Sequence, residues 1–366
     1  MTRGEGSYQP KEQRCRLCGQ VSRAIAGALG VCRRCILEDP DRARPLAAAA
    51  HAEGRRLFDL PAAAPRTADG LQCGLCAHGC RIGEGERGFC GLRTVRGGRL
   101  VHLAGTPQRG LLHWYRDPLP TNCVADPFCA GHRRIGYHNL AVFYSSCVFD
   151  CLFCQNWHFR QADPERDPGL SARELAAAAN SRTFCVCYFG GDPASQMPHA
   201  LASAHLLAEQ GVAVCWETAG SAHPRLMERA VELSLRSGGT VKFDLKAFDD
   251  RLHQALTGAS NVQTLENFAR AARRFASRPD PPLLVASTLL VPGYVTADEV
   301  GRIAGFIASL DPRIPYVLLA FAPHFLMPDL PTTSVAHAQA AEAAARAAGL
   351  QRIRIGNRHL LGWEEG

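Results

Sequence analysis

The sequence predicts an α/β fold, a parallel sheet covered by helices, with a cysteine-rich metal-binding extension on its N-terminal side. Two observations carry this expectation. First, from residue 139 onward six apolar runs, at 140–144, 183–189, 212–216, 240–245, 283–290 and 316–321, alternate with helix-like segments near 171–180, 198–210, 224–236, 261–276, 297–310 and 334–348. Near-continuous apolar runs mark strands buried on both faces, and the intervening helices return the chain for the next parallel strand. Second, most of the sixteen cysteines fall into close groups that lie before this alternation or at its start.

Composition narrows the class. With 366 residues, 46% of them hydrophobic, there is material for one large domain and a smaller one. No run of eighteen uncharged apolar residues occurs, and the opening Met1-Thr-Arg-Gly-Glu-Gly lacks the apolar core of a signal peptide. A soluble, cytoplasmic protein with no membrane partner is expected. In such a chain, clustered cysteines point to metal ligation rather than disulfides. The formal charge of +7 contains no concentrated basic run, so nucleic acid is not indicated as a partner.

Residues 1–40 read as a zinc-ribbon-like module behind a polar tail at 1–13. Cys15-Arg-Leu-Cys18 and Cys32-Arg-Arg-Cys35 each place two thiolates on a tight turn, and together they offer the tetrahedron that zinc prefers; a second iron centre is the rival. Four thiolates close the site, so folding or docking is the expected role. Residues 41–70, rich in Ala, Pro and Arg, read as a linker whose first half could form a short helix before Pro61 and Pro65 break it.

Residues 71–137 read as a second cysteine-rich module with a hairpin and a loop. Cys73, Cys76, Cys80 and Cys90 complete another ligand set, for zinc or for an auxiliary iron-sulfur cluster, with a structural metal preferred and His78 beside the site rather than in it. Residues 94–101 read as a hairpin turning at Gly97-Gly98. The stretch 113–129, dense in aromatic residues and prolines, is expected to be a binding loop, its Cys123 and Cys129 not counted as ligands.

Residues 138–366 carry the alternation. Its first apolar run leads directly into Cys147-Val-Phe-Asp-Cys151-Leu-Phe-Cys154, which puts three thiols on one loop. A [4Fe-4S] cluster takes one thiolate per iron, so three ligands leave one iron open. A closed zinc site needs a fourth ligand, for which His158 is the nearby candidate. The C-x3-C-x2-C loop, with Phe153 before its last cysteine, resembles the signature of the radical S-adenosylmethionine (SAM) superfamily. Cys154-Gln155-Asn156-Trp157 is similar to the pyruvate formate-lyase activating enzyme branch. The upstream cysteine-rich segment and Ile355-Gly356-Asn357 bring the chain nearer the radical SAM member of the AmmeMemoRadiSam system.

That resemblance implies a partial (β/α)6 TIM-like barrel from about residue 138. It also implies an oxidoreductase in which Cys147, Cys151 and Cys154 hold a catalytic [4Fe-4S] cluster. SAM, chelated to the open iron, would be cleaved reductively to a 5′-deoxyadenosyl radical that takes hydrogen from substrate, with electrons from a donor such as flavodoxin or ferredoxin. Such barrels place function on the loops after their strands. The resemblance implies SAM contacts from Phe153 on the cluster loop, from Gly190, Gly191, Asp192 and Pro193 after the second strand, from Glu217 after the third, and from Asp244 and Lys246 after the fourth. Asp192 stands where most relatives carry Glu, which keeps the charge and shortens the arm.

Val291-Pro292-Gly293 and Pro323-His324 follow the fifth and sixth strands, with His324 weighed for proton transfer against a structural role. Cys185, Cys187 and Cys215, inside strands, read as small core hydrophobes. The helices at 171 and 297 open on capping boxes, Ser171 with Glu174 and Thr296 with Glu299. The substrate is not legible. A glycine on a partner protein, docked on the module and the 113–129 loop, a small molecule, and a nucleic acid gripped by the ribbon stand beside a non-catalytic zinc-binding protein.

Overall fold

A computed structural model of the chain describes residues 10–362, so the first nine residues of the expected polar tail lie outside the described residues. The chain opens on an antiparallel pair, β1 (Gln13–Arg14) and β2 (Val21–Ser22), followed by α1 (Arg33–Glu38) and α2 (Pro40–Arg56). Two further pairs follow, β3 (Leu71–Gln72) with β4 (Arg81–Ile82) and β5 (Arg93–Arg96) with β6 (Arg99–His102). The second of these turns at Gly97 and Gly98, both at positive φ, as the two-residue hairpin requires.

The main sheet has eight strands. β7 (Leu112–Pro118) lies antiparallel at one edge against β8 (His138–Tyr144). β9 (Thr183–Phe189), β10 (Ala213–Thr218), β11 (Val241–Asp244), β12 (Leu284–Leu290), β13 (Tyr316–Ala320) and β14 (Ile353–Gly356) continue in parallel from β8, each beside its predecessor. Helices α3 (Ala172–Ala177), α4 (Met197–Glu209), α5 (Pro224–Ser237), α6 (Asp250–Thr257), α7 (Val262–Ala272), α8 (Ala297–Leu310) and α9 (Val335–Ala347) lie between them. The six expected strands are β8 to β13, and two more flank them. Among the described residues no helix is long and apolar enough to cross a membrane.

One expectation is corrected, and two features go beyond what was expected. The stretch 113–129 is not one loop: its first part is β7, and the rest turns into the sheet's concave side, where Ala125 packs on Val285 of β12 and Val317 of β13. The expected linker at 41–70 begins with a seventeen-residue helix, because Ala43, Ala47 and Ala50 form a buried stripe on α2. Ile25, Ala26, Leu29 and Val31 of the ribbon share one core with the barrel strands, so the extension packs as part of the same body.

The capping boxes divide. At α3, Ser171 Oγ accepts from Glu174 N and the Glu174 carboxylate accepts from Ser171 N. At α8, Thr296 makes no side-chain cap; Glu299, fully buried, instead accepts from the amides of Phe248 and Asp249 at 2.7 and 2.8 Å. Burial of the carboxylate against another loop's orphan donors outweighs the local box.

Candidate active site

The loop after β8 carries Cys147, Cys151 and Cys154, and its backbone is held from two sides. Asp150 N donates to Thr257 O at 2.8 Å and Leu152 N to Leu256 O at 3.1 Å, both at the end of α6; Asp192 N donates to Ser146 O at 2.9 Å. At its centre Asp150 is fully buried, hydrogen-bonded to His51 Nδ1 at 2.9 Å and ion-paired with Arg160 at 3.0 Å and Arg55 at 3.6 Å. Burial alone raises this carboxyl, but the His51 hydrogen bond and the two guanidinium charges outweigh it and hold the pKa below its usual value. Two arginines against one carboxylate leave positive charge beside the thiols.

Burial pushes the Cys147 thiol well up, Cys151 to about 12, and Cys154 up; Lys246 and Arg160 pull the latter two back down. Metal ligation needs thiolates. Three half-buried thiols on one loop, with two cations placed to favour the ionised form of Cys151 and Cys154, fit an iron-sulfur cluster in donor type and in charge. Phe153 is buried in the core between two of these thiols.

Gly190 and Gly191, at φ of 64° and 50°, press against this loop: a Cβ on Gly190 would lie 2.1 Å from the Phe143 ring, and one on Gly191 2.2 Å from Ser146 O. Only glycine allows both the left-handed backbone and the approach. Asp192 is 1% exposed, and its carboxylate accepts from Ala194 N at 2.8 Å, Thr218 Oγ1 at 2.9 Å and Ala219 N at 2.9 Å. Burial lifts it to about 6 against the pull of those bonds. Its shorter arm ties the loop after β9 to the end of β10, and Pro193 starts the single turn that follows.

Glu217, Asp244 and Lys246 converge around a residue the sequence reading missed. Lys242, 4% exposed at the side chain, pairs with Glu217 at 2.9 Å and Asp244 at 2.8 Å. Asp244 also meets Lys246 at 3.1 Å and Ser287 Oγ at 2.6 Å. Burial would raise the Asp244 carboxyl, yet the two lysines hold it well below the carboxylate range. The inward, outward alternation of Val241, Lys242 and Phe243 was the available signal for Lys242.

The ribbon cysteines converge. Cys15 Sγ lies 3.8 Å from Cys35 Sγ and Cys18 Sγ 3.7 Å from Cys32 Sγ, and all four lie within 4.8 Å of one another. A tetrahedron with metal-sulfur bonds of about 2.3 Å has edges of about 3.8 Å, so this set fits one ion. Cys73, Cys76, Cys80 and Cys90 line one small space with Arg93. Arg93 is 1% exposed, and none of its three side-chain nitrogens has a partner among the described residues. A buried, unpaired guanidinium is costly; four thiolates around a divalent ion would bring the negative charge that offsets it.

This second set abuts the cluster loop. Ser146 Oγ donates to Cys90 O at 2.8 Å, His78 Nε2 lies 2.7 Å from Val148 O, and Arg55 stacks over the Phe89 ring at 3.7 Å while donating to Phe89 O. His78 is therefore a docking residue, with its pKa pushed down to about 4 by burial. His158 stacks on Phe143, and His324 Nδ1 lies 3.1 Å from Ala322 O. Cys185, Cys187 and Cys215 face a small space inside the sheet together with Cys123 and Cys129.

Two cavities open near this region. One of about 420 Å³ includes Arg55, Phe58, Cys90, Cys147 and Arg160 in its wall. A larger one of about 770 Å³, lined by Ala43, His51, Arg66, His78 and Arg251, has no thiol in its wall. Chemistry at the three-thiol loop belongs with the smaller.

The model of the radical SAM superfamily matches residues 141–307, from β8 through most of α8. An isethionate sulfite-lyase activating enzyme of Oleidesulfovibrio alaskensis is 32% identical over 133 residues, 36% of this chain and only 40% of that enzyme's length. An uncharacterised protein of Methanocaldococcus jannaschii is 25% identical over 303 residues, 78% of this chain and 81% of that protein. Among solved structures, a domain of a pyruvate-formate lyase-activating enzyme from Bacteroides vulgatus is similar over 47% of this chain and 99% of its own, with 25% identity and a TM-score of 0.37.

Proposed function

We propose, from the match of residues 141–307 to the radical SAM superfamily, that Cys147, Cys151 and Cys154 hold a [4Fe-4S] cluster at which SAM is cleaved reductively. When bound, cluster and SAM supply the radical chemistry; the protein supplies position, charge and exclusion of water. The observation that carries this reading is the three-thiol loop with Lys246 and Arg160 beside Cys151 and Cys154. Gly191 keeps a side chain away from the three-thiol loop and Gly190 one away from Phe143 of β8, Asp192 locks the turn that follows, and Lys246 and Asp244 would hold the oppositely charged and polar groups of SAM.

The test is anaerobic, dithionite-reduced protein with SAM, scored for methionine and 5′-deoxyadenosine. Both are expected from the wild type and neither from Cys151→Ala. Equal cleavage by the two would sink the proposal.

The substrate we favour is a small molecule. The ribbon covers the loops after β12 and β13, and the second module covers those after β8 and β10; beside Cys147 opens a cavity of about 420 Å³, which cluster, SAM and substrate would share and which suits a small molecule better than a protein segment. Kinship to an isethionate sulfite-lyase activating enzyme supports the rival, action on a partner protein. We assign zinc to the ribbon and either zinc or an auxiliary cluster to Cys73, Cys76, Cys80 and Cys90, with electrons from a protein such as flavodoxin or ferredoxin, in the cytoplasm.

A further inference from the structure

Beneath the strand ends, the segment 119–134 turns into the concave side of the sheet and sets Cys123 and Cys129 against Cys185 and Cys187 of β9 and Cys215 of β10. The space they enclose is about 20 Å³. That admits one particle the size of a water molecule and no organic substrate. Three donors on its wall converge: Cys123 Sγ lies 2.9 Å from Glu217 Oε1, and these two atoms and Cys187 Sγ all lie within 4.8 Å of one another. The other Glu217 oxygen is held by Lys242 at 2.9 Å, so the carboxylate is oriented with one oxygen turned to the thiols.

We propose that Cys123, Cys187 and Glu217 form a site for a thiophilic divalent cation of the zinc class, which fastens the 119–134 segment to the inner wall of the barrel. Two sulfurs and one carboxylate oxygen are a donor set that suits zinc, and three protein ligands leave a fourth position open toward the enclosed space. Binding the ion expels both thiol protons to solvent, and no oxidant or reductant is needed. Two thiolates and a carboxylate around a divalent ion carry one net negative charge, and Lys242, already bonded to the carboxylate, offsets it. An ordinary apolar core does not gather five thiols and a carboxylate around one space. A fixed carboxylate facing two thiols turns that gathering into a ligand set. The site shares Glu217 with the expected SAM contacts but no thiol with the three-thiol loop, so metal content, not the cleavage of SAM, reports its occupancy.

Full-length protein, expressed with zinc in the medium and purified anaerobically without chelator, is to be analysed for zinc and iron per chain. Cys187→Ala is expected to lower zinc by one equivalent and leave iron unchanged. Cys215→Ala, which borders the same space outside the donor trio, is expected to change neither. Equal zinc in wild type and Cys187→Ala overturns the proposal, and so does the same loss from Cys215→Ala. Should Cys187→Ala fail to fold, the cadmium-113 spectrum of the cadmium-loaded wild type decides. A resonance from a mixed sulfur and oxygen site is expected beside those of all-sulfur sites, and all-sulfur resonances alone overturn it.

Discussion

The ribbon at Cys15 to Cys35 and the loop at Cys147 to Cys154 use the same side chain under opposite conditions. The ribbon thiols are drawn to contact distance by their own two turns. Cys15 is buried, which raises its pKa, but amide donors from Leu17, Cys18 and Cys32 bring it down to about 6. Cys18 is lowered as well, while burial raises Cys32 and Cys35, and what favours the thiolate at Cys15 and Cys18 comes from the ribbon itself. The loop thiols have one nearby cation, Arg160, and otherwise depend on distant elements. Their cations come from Arg160 and Lys246, and their backbone is pinned by α6 and by the loop after β9. A closed site can be written into a short stretch of chain, whereas an open one has to be assembled by the whole fold.

The largest way to separate the two is to remove Asp150. Asp150→Ala leaves Arg55 and Arg160 buried without their carboxylate, a change expected to cost about 3–5 kcal/mol. Chemical denaturation should show that loss and iron analysis the loss of the cluster, while the metal content of the ribbon is expected to stay. If Asp150→Ala keeps its iron and its stability, the loop is more self-sufficient than the contrast allows.

Acid should act next. His253 on α6 lies 2.7 Å from Ala259 O through Nδ1, and burial lowers its pKa from 6.5 to about 4. A histidine whose folded pKa lies below its unfolded value contributes full stability above the unfolded value, and that contribution is lost as pH falls through the interval to the folded one. Unfolding free energy is therefore expected to drop between pH 6.5 and 4 by about 3 kcal/mol from this residue. A His253→Asn chain should show a flatter profile, and an identical slope would remove His253 as its source.

The smallest effect falls on a glycine. Gly191→Ala places a methyl group 2.2 Å from Ser146 O at a φ of 50°, which is expected to cost about 2 kcal/mol and loosen the cluster. Iron should fall on gel filtration while ribbon zinc stays. Retained iron would show that the loop accommodates the shift.

Much of this contrast was legible in the sequence. Spacing alone marked all three cysteine groups, and six strands stood out because parallel strands buried on both faces read as unbroken apolar runs. β7 escaped because its face alternates with solvent and it ends at Pro118; β14 escaped because Ile353-Arg-Ile-Gly is too short to stand apart. Asp150 sat inside the motif, but its meaning depended on His51, ninety-nine residues away. Cys187 and Cys215 read as hydrophobes because their companions come from another strand and a distant loop, and sequence spacing registers only local groups. Ser171 and Thr296 offered the same box, and only a loop packed against α8 decided between them.

Tyr294 accepts from the amide of Ala26 and donates to Val31 O, and the residue before it, Gly293, would meet Ala24 O at 2.1 Å if it had a side chain. The seat of the ribbon thus emerges from the ribosome 268 residues after its occupant, on the order of tens of seconds later at ordinary elongation rates. For that interval the ribbon has only its own thiols to hold it together. An ion captured at the exit tunnel would keep it folded until the seat arrives, and in metal-starved cells nascent chains should be lost to proteases before the barrel is complete.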